Sequence, residues 1–367
     1  MVEKGADPSI SRARRSFLRA ARGLTTPLLP DDYIELMNPL WSTRELRGRV
    51  ESVRPETADA TTVVIAPSAP WPGHLPGQYL RIGAEIDGVR HWRAYSITSD
   101  PNHPKNLVSI TVKCVDEGKL SPFFSREIGV DSMVFLGEVE GTFGLPDPLP
   151  QKALFVSAGS GITPIMSIVR ELGRRSALQD VIHVHCVRNE EDFIFGEMLK
   201  GIADRNPGYD LRLHLSSEEG RLEPKGLDKA CGSDWRDRDS FLSGPGELLD
   251  VMTEHWEAEA DPERLAMERF QPRIGGADAE AGSGGTVRFR VTEVDAESDG
   301  TQPILVAGEE AGGELPFGCR QGICHTCVGR LCQGRVRDLR TGEVHGEEGQ
   351  MIRTCVNAPE GHVEMEL

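Results

Sequence analysis

Eight cysteines occur in this 367-residue chain, and five of them, Cys319, Cys324, Cys327, Cys332 and Cys355, crowd its C-terminal end. A secreted disulfide framework would spread its thiols through a smaller chain, so thiols gathered this way point to a metal. Cys319-Arg-Gln-Gly-Ile-Cys324-His-Thr-Cys327, followed far downstream by Cys355, is a C-x4-C-x2-C…C pattern. In that spacing four thiolates hold two irons bridged by sulfide, a [2Fe-2S] cluster. Zinc is the alternative, but zinc sites pair two short knuckles, and here the fourth cysteine has no close partner in sequence. Gly318 and Gly322 allow backbone N–H groups to come close to sulfur. Cys332 falls outside the pattern and is expected to pack in the core.

Three further segments carry chemistry. Arg93-Ala-Tyr95-Ser96 follows a predicted strand and is joined downstream by Gly118-Lys-Leu-Ser121. A guanidinium binds phosphate oxygens bidentately, and an aromatic ring offers an apolar face to a flat cofactor. Taken alone, Arg93 reads equally as a surface arginine and Tyr95 as a barrel core residue. Ala158-Gly159-Ser160-Gly161-Ile162-Thr163-Pro164 joins a strand to a helix, so backbone donors and the helix N-terminus can hold a dinucleotide pyrophosphate. It is not G-x-G-x-x-G, because Pro164 takes the sixth place. Proline suits the first helical turn.

These segments need different scaffolds. Short β-branched runs separated by Gly/Pro turns, Arg49 to Val53, Thr61 to Ile65, Gln78 to Ile82, Tyr95 to Thr98, Leu107 to Lys113 and Met133 to Leu136, predict a small antiparallel barrel or sandwich. From Lys152 onward strands alternate with helices: strand Ala153 to Val156, helix Ile165 to Arg175, strand Val181 to Val187, helix Phe193 to Ile202, strands Leu211 to Leu215 and Ser240 to Leu242, and helix Glu247 to Glu257. That alternation predicts a parallel α/β sheet. Gly275 to Gly285 has the composition of a linker. A chain of this length exceeds one hydrophobic core.

The C-terminal stretch PFGCRQGICHTCVGRLCQGRV, with its distal cysteine in MIRTCVNAP, resembles the plant-type ferredoxins. The order R-x-Y-S, Gly118 to Ser121, then the glycine turn after a strand, resembles the ferredoxin–NADP reductase family across residues 46 to 272. The resemblance implies a multidomain fold: a basic extension (1–45), an antiparallel β-barrel that binds FAD (46–150), an α/β nucleotide domain (151–272), a linker (273–285) and an α+β, β-grasp [2Fe-2S] domain (286–367). It implies that Arg93, Tyr95 and Ser96 contact the flavin phosphate, ring and N5 region, that Gly118 and Ser121 meet the pyrophosphate, and that Thr111, Val112 and Lys113 adjoin it. The short Gly118 to Ser121 loop favours FAD over FMN.

By the same resemblance Gly159, Ser160, Gly161, Thr163 and Pro164 form the nucleotide loop. Ser243-Gly244-Pro245 lies beside the nicotinamide, although the family's cysteine is here Ser243. Phe270, in Glu268-Arg-Phe270, lies near the flavin, with core packing as its alternative. Arg188 and Arg221 favour NADPH over NADH by offering cations to a 2′-phosphate, against Glu190 and Glu191. The activity implied is transfer of a hydride from NAD(P)H to flavin and of single electrons onward to the cluster. A cluster near about −400 mV suits oxygen-activating metalloenzymes as acceptors. A redox sensor or bare electron carrier is the rival, and the nucleotide segment speaks against it.

Formal charge is −17, from 41 basic and 58 acidic residues, which disfavours nucleic acid as a partner. No run approaches the ~20 apolar residues that span a bilayer, and no signal-peptide core is present, so a cytoplasmic location is expected. Ile10, Ala13, Phe17, Ala21 and Leu24 fall on one helical face, with Arg12, Arg15, Arg19 and Arg22 on the others. This basic amphipathic pattern suggests peripheral contact with an anionic membrane, a short helix packed on the flavin domain, or a disordered arm. Residues 24 to 53 resemble actinobacterial reductases that feed membrane di-iron fatty-acyl desaturases, which implies such an acceptor. A reductase for a Rieske or cytochrome oxygenase is the alternative.

Overall fold

The computed structural model describes residues 40, 45–68, 71–116, 118–270, 282–317, 320, 322 and 325–367. The amphipathic segment 10–24, most of the linker, and Cys319 and Cys324 lie outside the described residues.

The first sheet is antiparallel, six strands in the order β4-β3-β6-β1-β2-β5: β1 Leu46–Pro55, β2 Ala60–Pro67, β3 Tyr79–Ile86, β4 Val89–Ser96, β5 Val108–Lys113 and β6 Met133–Glu140. Its two ends meet where Ile97, just past β4, bridges Ile110 on β5 and Thr98 N–H donates to Ser109 C=O at 2.8 Å. Closure removes exposed edges. Val50, Val63, Ile65, Leu80, Ile82 and Ile110, all fully buried, fill the interior. Period-two alternation of apolar residues is what sends one face of each strand inward.

β4 departs from expectation. Arg93 to Ser96 form its last residues instead of following a strand, because Asp87-Gly88, with φ of 52° and 77°, closes a two-residue hairpin from β3. Positive φ at both central residues is what this tight turn demands, and glycine supplies it freely.

A second sheet has the order β11-β10-β7-β8-β9: β7 Ala153–Ala158, β8 Val181–Val187, β9 Tyr209–Leu215, β10 Asp239–Gly244 and β11 Leu265–Arg269. β10, β7, β8 and β9 run parallel, and β8 is buried throughout, as a strand covered on both faces must be. Helices α1 (Ile162–Arg174), α2 (Gly196–Arg205), α3 (Pro224–Cys231) and α4 (Gly246–Glu259) accompany it. α1 starts three residues before its expected start, straight out of the glycine turn. α2 starts three residues after its expected start, because Phe195 adopts φ 63° and holds the chain out of the helix until Gly196.

A separate compact unit holds the C-terminal α+β sheet. Its order is β13-β12-β17-β14-β15, with β16 on β14: β12 Gly285–Phe289, β13 Val294–Ser298, β14 Val328–Asp338, β15 Val344–His345, β16 Met351–Arg353 and β17 Asn357–Glu366. Helix α5 (Ile304–Glu310) buries Ile304 and Leu305 in its core. Cys332 is half-buried here, not a core residue. The register of β14 against β17 shifts between Leu331 and Gln333, so Cys332 is the extra residue of a bulge and falls out of the inward alternation that keeps Leu331 buried.

Candidate redox site

In the C-terminal unit the fourth predicted ligand is brought to the third by strand register. Val328 pairs Arg353 across β14 and β16, which sets Cys327 and Cys355 at neighbouring strand ends, both buried. Thr354 ties them, donating its N–H and Oγ1 to Cys327 C=O at 3.0 and 2.8 Å. Gly322 N–H donates to Cys355 Sγ at 3.1 Å, the contact that charge on sulfur calls for. Arg353 Nη1 donates to Gly322 C=O at 2.7 Å and pins the loop to the distal cysteine. Among the described loop residues Arg320 (φ 56°), Gly322 (φ 72°) and His325 (φ 55°) are left-handed, as a backbone that turns its amides inward requires. Thr326 Oγ1 is buried without a partner among the described residues. An inward amide, buried thiols and an orphan hydroxyl fit a sulfur-ligated cluster.

In the barrel, Tyr95 is half-buried and Ser96 buried, and Tyr95 meets Phe124 edge-on with centroids 6.0 Å apart. Arg93 Nη1 donates to Trp92 C=O at 2.9 Å. Thr111 and Val112 are both buried, Val112 in the barrel core and Thr111 on the opposite face; the Thr111 hydroxyl meets Thr62 Oγ1 at 2.7 Å, and Lys113 Nζ pairs with Asp59 at 3.0 Å. Backbone groups are therefore what Thr111 and Val112 leave for a ligand. A methyl on Gly118 would stand 2.8 Å from Ser121 Oγ and 3.0 Å from Val115 C=O, so the turn needs glycine. Ser121 Oγ accepts from Val115 N–H at 3.2 Å.

The nucleotide loop leaves β7 through Gly159 at φ 53°, makes one 3₁₀ turn to Gly161 and enters α1. Thr163 Oγ1 donates to Ser160 C=O at 2.9 Å, and Pro164 lies in the first helical turn, where its missing N–H costs nothing. Ser243, next to last in β10, is in register with Ser157 of β7; its Oγ is fully buried and without a partner among the described residues. Such an orphan costs free energy unless a ligand atom meets it. Gly244 and Pro245 follow it. Arg188 and Arg221 are exposed, and Ser217 N–H donates to Arg188 C=O at 3.1 Å, which folds the segment after β9 back against the end of β8. Glu190 is occupied by Lys200. Phe270, just past β11, is half-buried, and burial raises the neighbouring Glu268 carboxyl to about 7.

Sequence reasoning overlooked a polar chain under this loop. Ser157 Oγ lies 2.9 Å from His183 Nε2 and 2.7 Å from His185 Nδ1, and His183 Nδ1 lies 2.6 Å from Tyr209 Oη, all buried. Burial pulls His183 well below the usual range and His185 down to about 3, so both rings are neutral. If Tyr209 donates to His183, every link is satisfied and only His185 Nε2 remains unpartnered among the described residues. The period-two placing of His183 and His185 on one strand was the available signal.

Three family descriptions match the chain. An oxidoreductase FAD-binding domain covers residues 65–144, an oxidoreductase NAD-binding domain 155–229 and a 2Fe-2S iron-sulfur cluster binding domain 289–360. The chain is 42% identical, over 95% of its length and 91% of the relative's, to an NADPH oxidoreductase of Mycobacterium tuberculosis. The chain belongs to the flavin and [2Fe-2S] NAD(P)H oxidoreductases. The reductase is also 27% identical to a glycine betaine monooxygenase reductase subunit of Chromohalobacter salexigens, over 89% of this chain and 96% of that one. Its fold resembles that of phthalate dioxygenase reductase, with a TM-score of 0.58, 21% identity and coverage of 88% and 97%. No described helix of the reductase is long and apolar enough to cross a membrane.

Proposed function

We propose that the reductase carries electrons from NADPH through FAD and a [2Fe-2S] cluster to an oxygen-activating metalloenzyme, more narrowly a membrane di-iron fatty acyl-CoA desaturase. When bound, the flavin turns the two electrons of a hydride into single-electron steps that a cluster can carry. The chain's own residues bind and orient. Arg93 neutralises the flavin phosphate, Tyr95 covers the ring, and Ser96 offers a hydroxyl near N5. Gly159 to Pro164 hold the nucleotide diphosphate at the start of α1, and Ser243 Oγ meets the nicotinamide. Cys319, Cys324, Cys327 and Cys355 ligate the cluster. The reading divides the chain at 46–150, 151–272 and 286–367.

The single observation that carries the reading is the joining of FAD-binding, NAD-binding and 2Fe-2S matches in one chain. Relatives named as reductase subunits of monooxygenases support an oxygenase acceptor. The desaturase rests on the likeness of residues 24–53 and on the arginines of residues 12–22. NADPH preference rests on Arg188 and Arg221 and on the name of the 42% identical relative. Anaerobic stopped-flow tests the relay: NADPH bleaches the flavin band before the cluster band, at higher kcat/KM than NADH. Anionic vesicles test the acceptor. They retain the protein at low salt, and deletion of residues 1–24 lowers desaturase-coupled turnover while sparing dye reduction. Unchanged coupling and vesicle binding after that deletion would refute membrane docking and leave the Rieske or cytochrome oxygenase reading.

A further inference from the structure

Helix α1 leaves the nucleotide loop and spends one face on the flavin barrel. Ser167, Arg170, Glu171 and Arg174 recur at i, i+3, i+4 and i+7 and therefore share that face. Ser167 Oγ accepts from Gly77 N–H at 2.7 Å and donates to Pro164 C=O at 2.9 Å. Arg170 Nη1 donates to Thr98 C=O, Asn102 Nδ2 reaches Glu171 Oε2 at 3.4 Å, and Arg174 Nε lies 3.9 Å from Asp100. All the barrel partners lie in two short stretches, Gly77 just ahead of β3 and residues 98–102 just past β4, themselves joined where Ile97 N–H donates to Gln78 C=O at 2.9 Å. Thr98 is the residue that closes the barrel against β5, two positions beyond Ser96.

Packing alone does not explain Arg170. Burial, with the nearby Arg54 charge, lowers its pKa to about 10 against the opposing pull of Glu56 and Asp100, and no carboxylate among the described residues lies within 4.0 Å of its guanidinium. Its partners are a neutral carbonyl, Met198 Sδ at 3.2 Å and the Phe195 ring at 5.9 Å. A largely buried cation with its carboxylates held beyond contact distance is costly, and a methionine or leucine would fill the space more cheaply. What a planar guanidinium offers instead is direction, fixing a carbonyl in one place.

We propose that Arg170, with Ser167 beside it, is a positioning residue for hydride transfer: it locks the helix of the nucleotide loop to the strand end that carries the flavin motif. The inference rests on the flavin and nucleotide assignments proposed above. Arg170 lies eight residues past Ile162, about 12 Å along the helix. A tilt of about 5° at this joint moves the loop by about 1 Å, and a misplacement of that size costs roughly 100-fold in rate.

The test uses full-length, FAD- and cluster-loaded protein with Arg170→Met, Arg170→Lys, Ser167→Ala and, as a control, Arg175→Met, whose side chain pairs with Glu171 and makes no hydrogen bond or ion pair to the barrel among the described residues. Four quantities are read: FAD per chain, NADP⁺ affinity, single-turnover flavin bleaching at saturating NADPH, and amide hydrogen exchange over residues 74–80 and 96–102. Arg170→Met is expected to keep FAD content and NADP⁺ affinity within twofold while bleaching slows tenfold or more and exchange in both stretches accelerates. Arg170→Lys falls between it and the parent, and Arg175→Met matches the parent. Bleaching per bound flavin within twofold of the parent in Arg170→Met overturns the proposal, as does equal slowing in Arg175→Met. Should Arg170→Met lose its flavin, Ser167→Ala decides: slowed bleaching with faster exchange at 74–80 supports the joint, and unchanged bleaching overturns it. Failure of NADPH and NADH to bleach the parent protein would instead sink the proposed function, while the exchange data would still report on the joint.

Discussion

Two glycines of the C-terminal unit form a matched pair for testing the cluster loop. Gly322 and Gly342 have almost the same left-handed backbone, φ 72° and 75°. A methyl on Gly342 would meet nothing within 4 Å, whereas one on Gly322 would stand 2.9 and 3.1 Å from the Val356 methyls and 2.9 Å from Arg340 Nη1. Arg340 can swing aside. Val356 is fully buried and cannot. Gly342→Ala therefore costs only the left-handed penalty of about 1–2 kcal/mol. Gly322→Ala adds about 1–3 kcal/mol of overpacking, a further factor of roughly 5 to 150 in the population of the closed loop. The same shift moves the N–H that donates to Cys355 Sγ. Iron and acid-labile sulfide per chain, with the temperature at which the cluster absorbance bleaches, provide the assay. Gly342→Ala should keep about two irons per chain, and Gly322→Ala should lose iron on purification or bleach well below it. Equal iron content and equal bleaching temperature in the two variants would refute the steric argument.

Other outcomes follow from the same geometry. Arg93→Ala should release flavin on gel filtration, having lost a charge-assisted bond worth about 1.5–3 kcal/mol; full flavin occupancy would remove Arg93 from the site. Ser157→Ala strands nitrogens of His183 and His185 in the core, at about 1–3 kcal/mol for each, so urea unfolding should shift to lower denaturant, and an unshifted midpoint would show that water replaces the hydroxyl. Glu268, ordinarily titrating at 4.5, is raised to about 7 by burial. As pH rises the unfolded chain loses this proton first, so the contribution of Glu268 to stability is intact below about 4.5 and falls between 4.5 and about 7. Glu268→Gln should flatten that segment of a stability–pH curve, and an unchanged slope would count against it.

Much of the scaffold was legible because burial imposes a period. The mostly apolar run of β8, broken only by His183 and His185, and the β-branched run of β2 report their burial. β4 was harder, since Val89-Arg-His-Trp-Arg93 mixes charge with aromatic residues and leaves alternation faint, although the Asp87-Gly88 turn signalled a hairpin. Cys332 was misplaced because a bulge is a property of two paired strands and leaves no mark on one of them. Cys327 and Cys355 stand out by residue type. The joint of Gly77, Thr98, Ser167 and Arg170 does not, because three of its four members act through backbone groups or a serine hydroxyl, which any surface segment supplies. The Ser157 chain likewise needs three adjacent strands in register before its members meet.

The pairing of β14 with β16 and β17 bears on how the protein matures in the cell. Backbone bonds and the Thr354 hydroxyl hold Cys327 and Cys355 at neighbouring strand ends. Half of the metal socket is thus an outcome of sheet formation, unlike a zinc finger, which folds only around its ion. Assembly machinery would then meet a platform on which the sheet has already set two of the thiols. Iron-free protein should keep the β-sheet circular dichroism of this unit, and reconstitution with iron and sulfide should restore visible absorbance without a change in that signal; loss of the sheet signal with the iron would refute the preset platform.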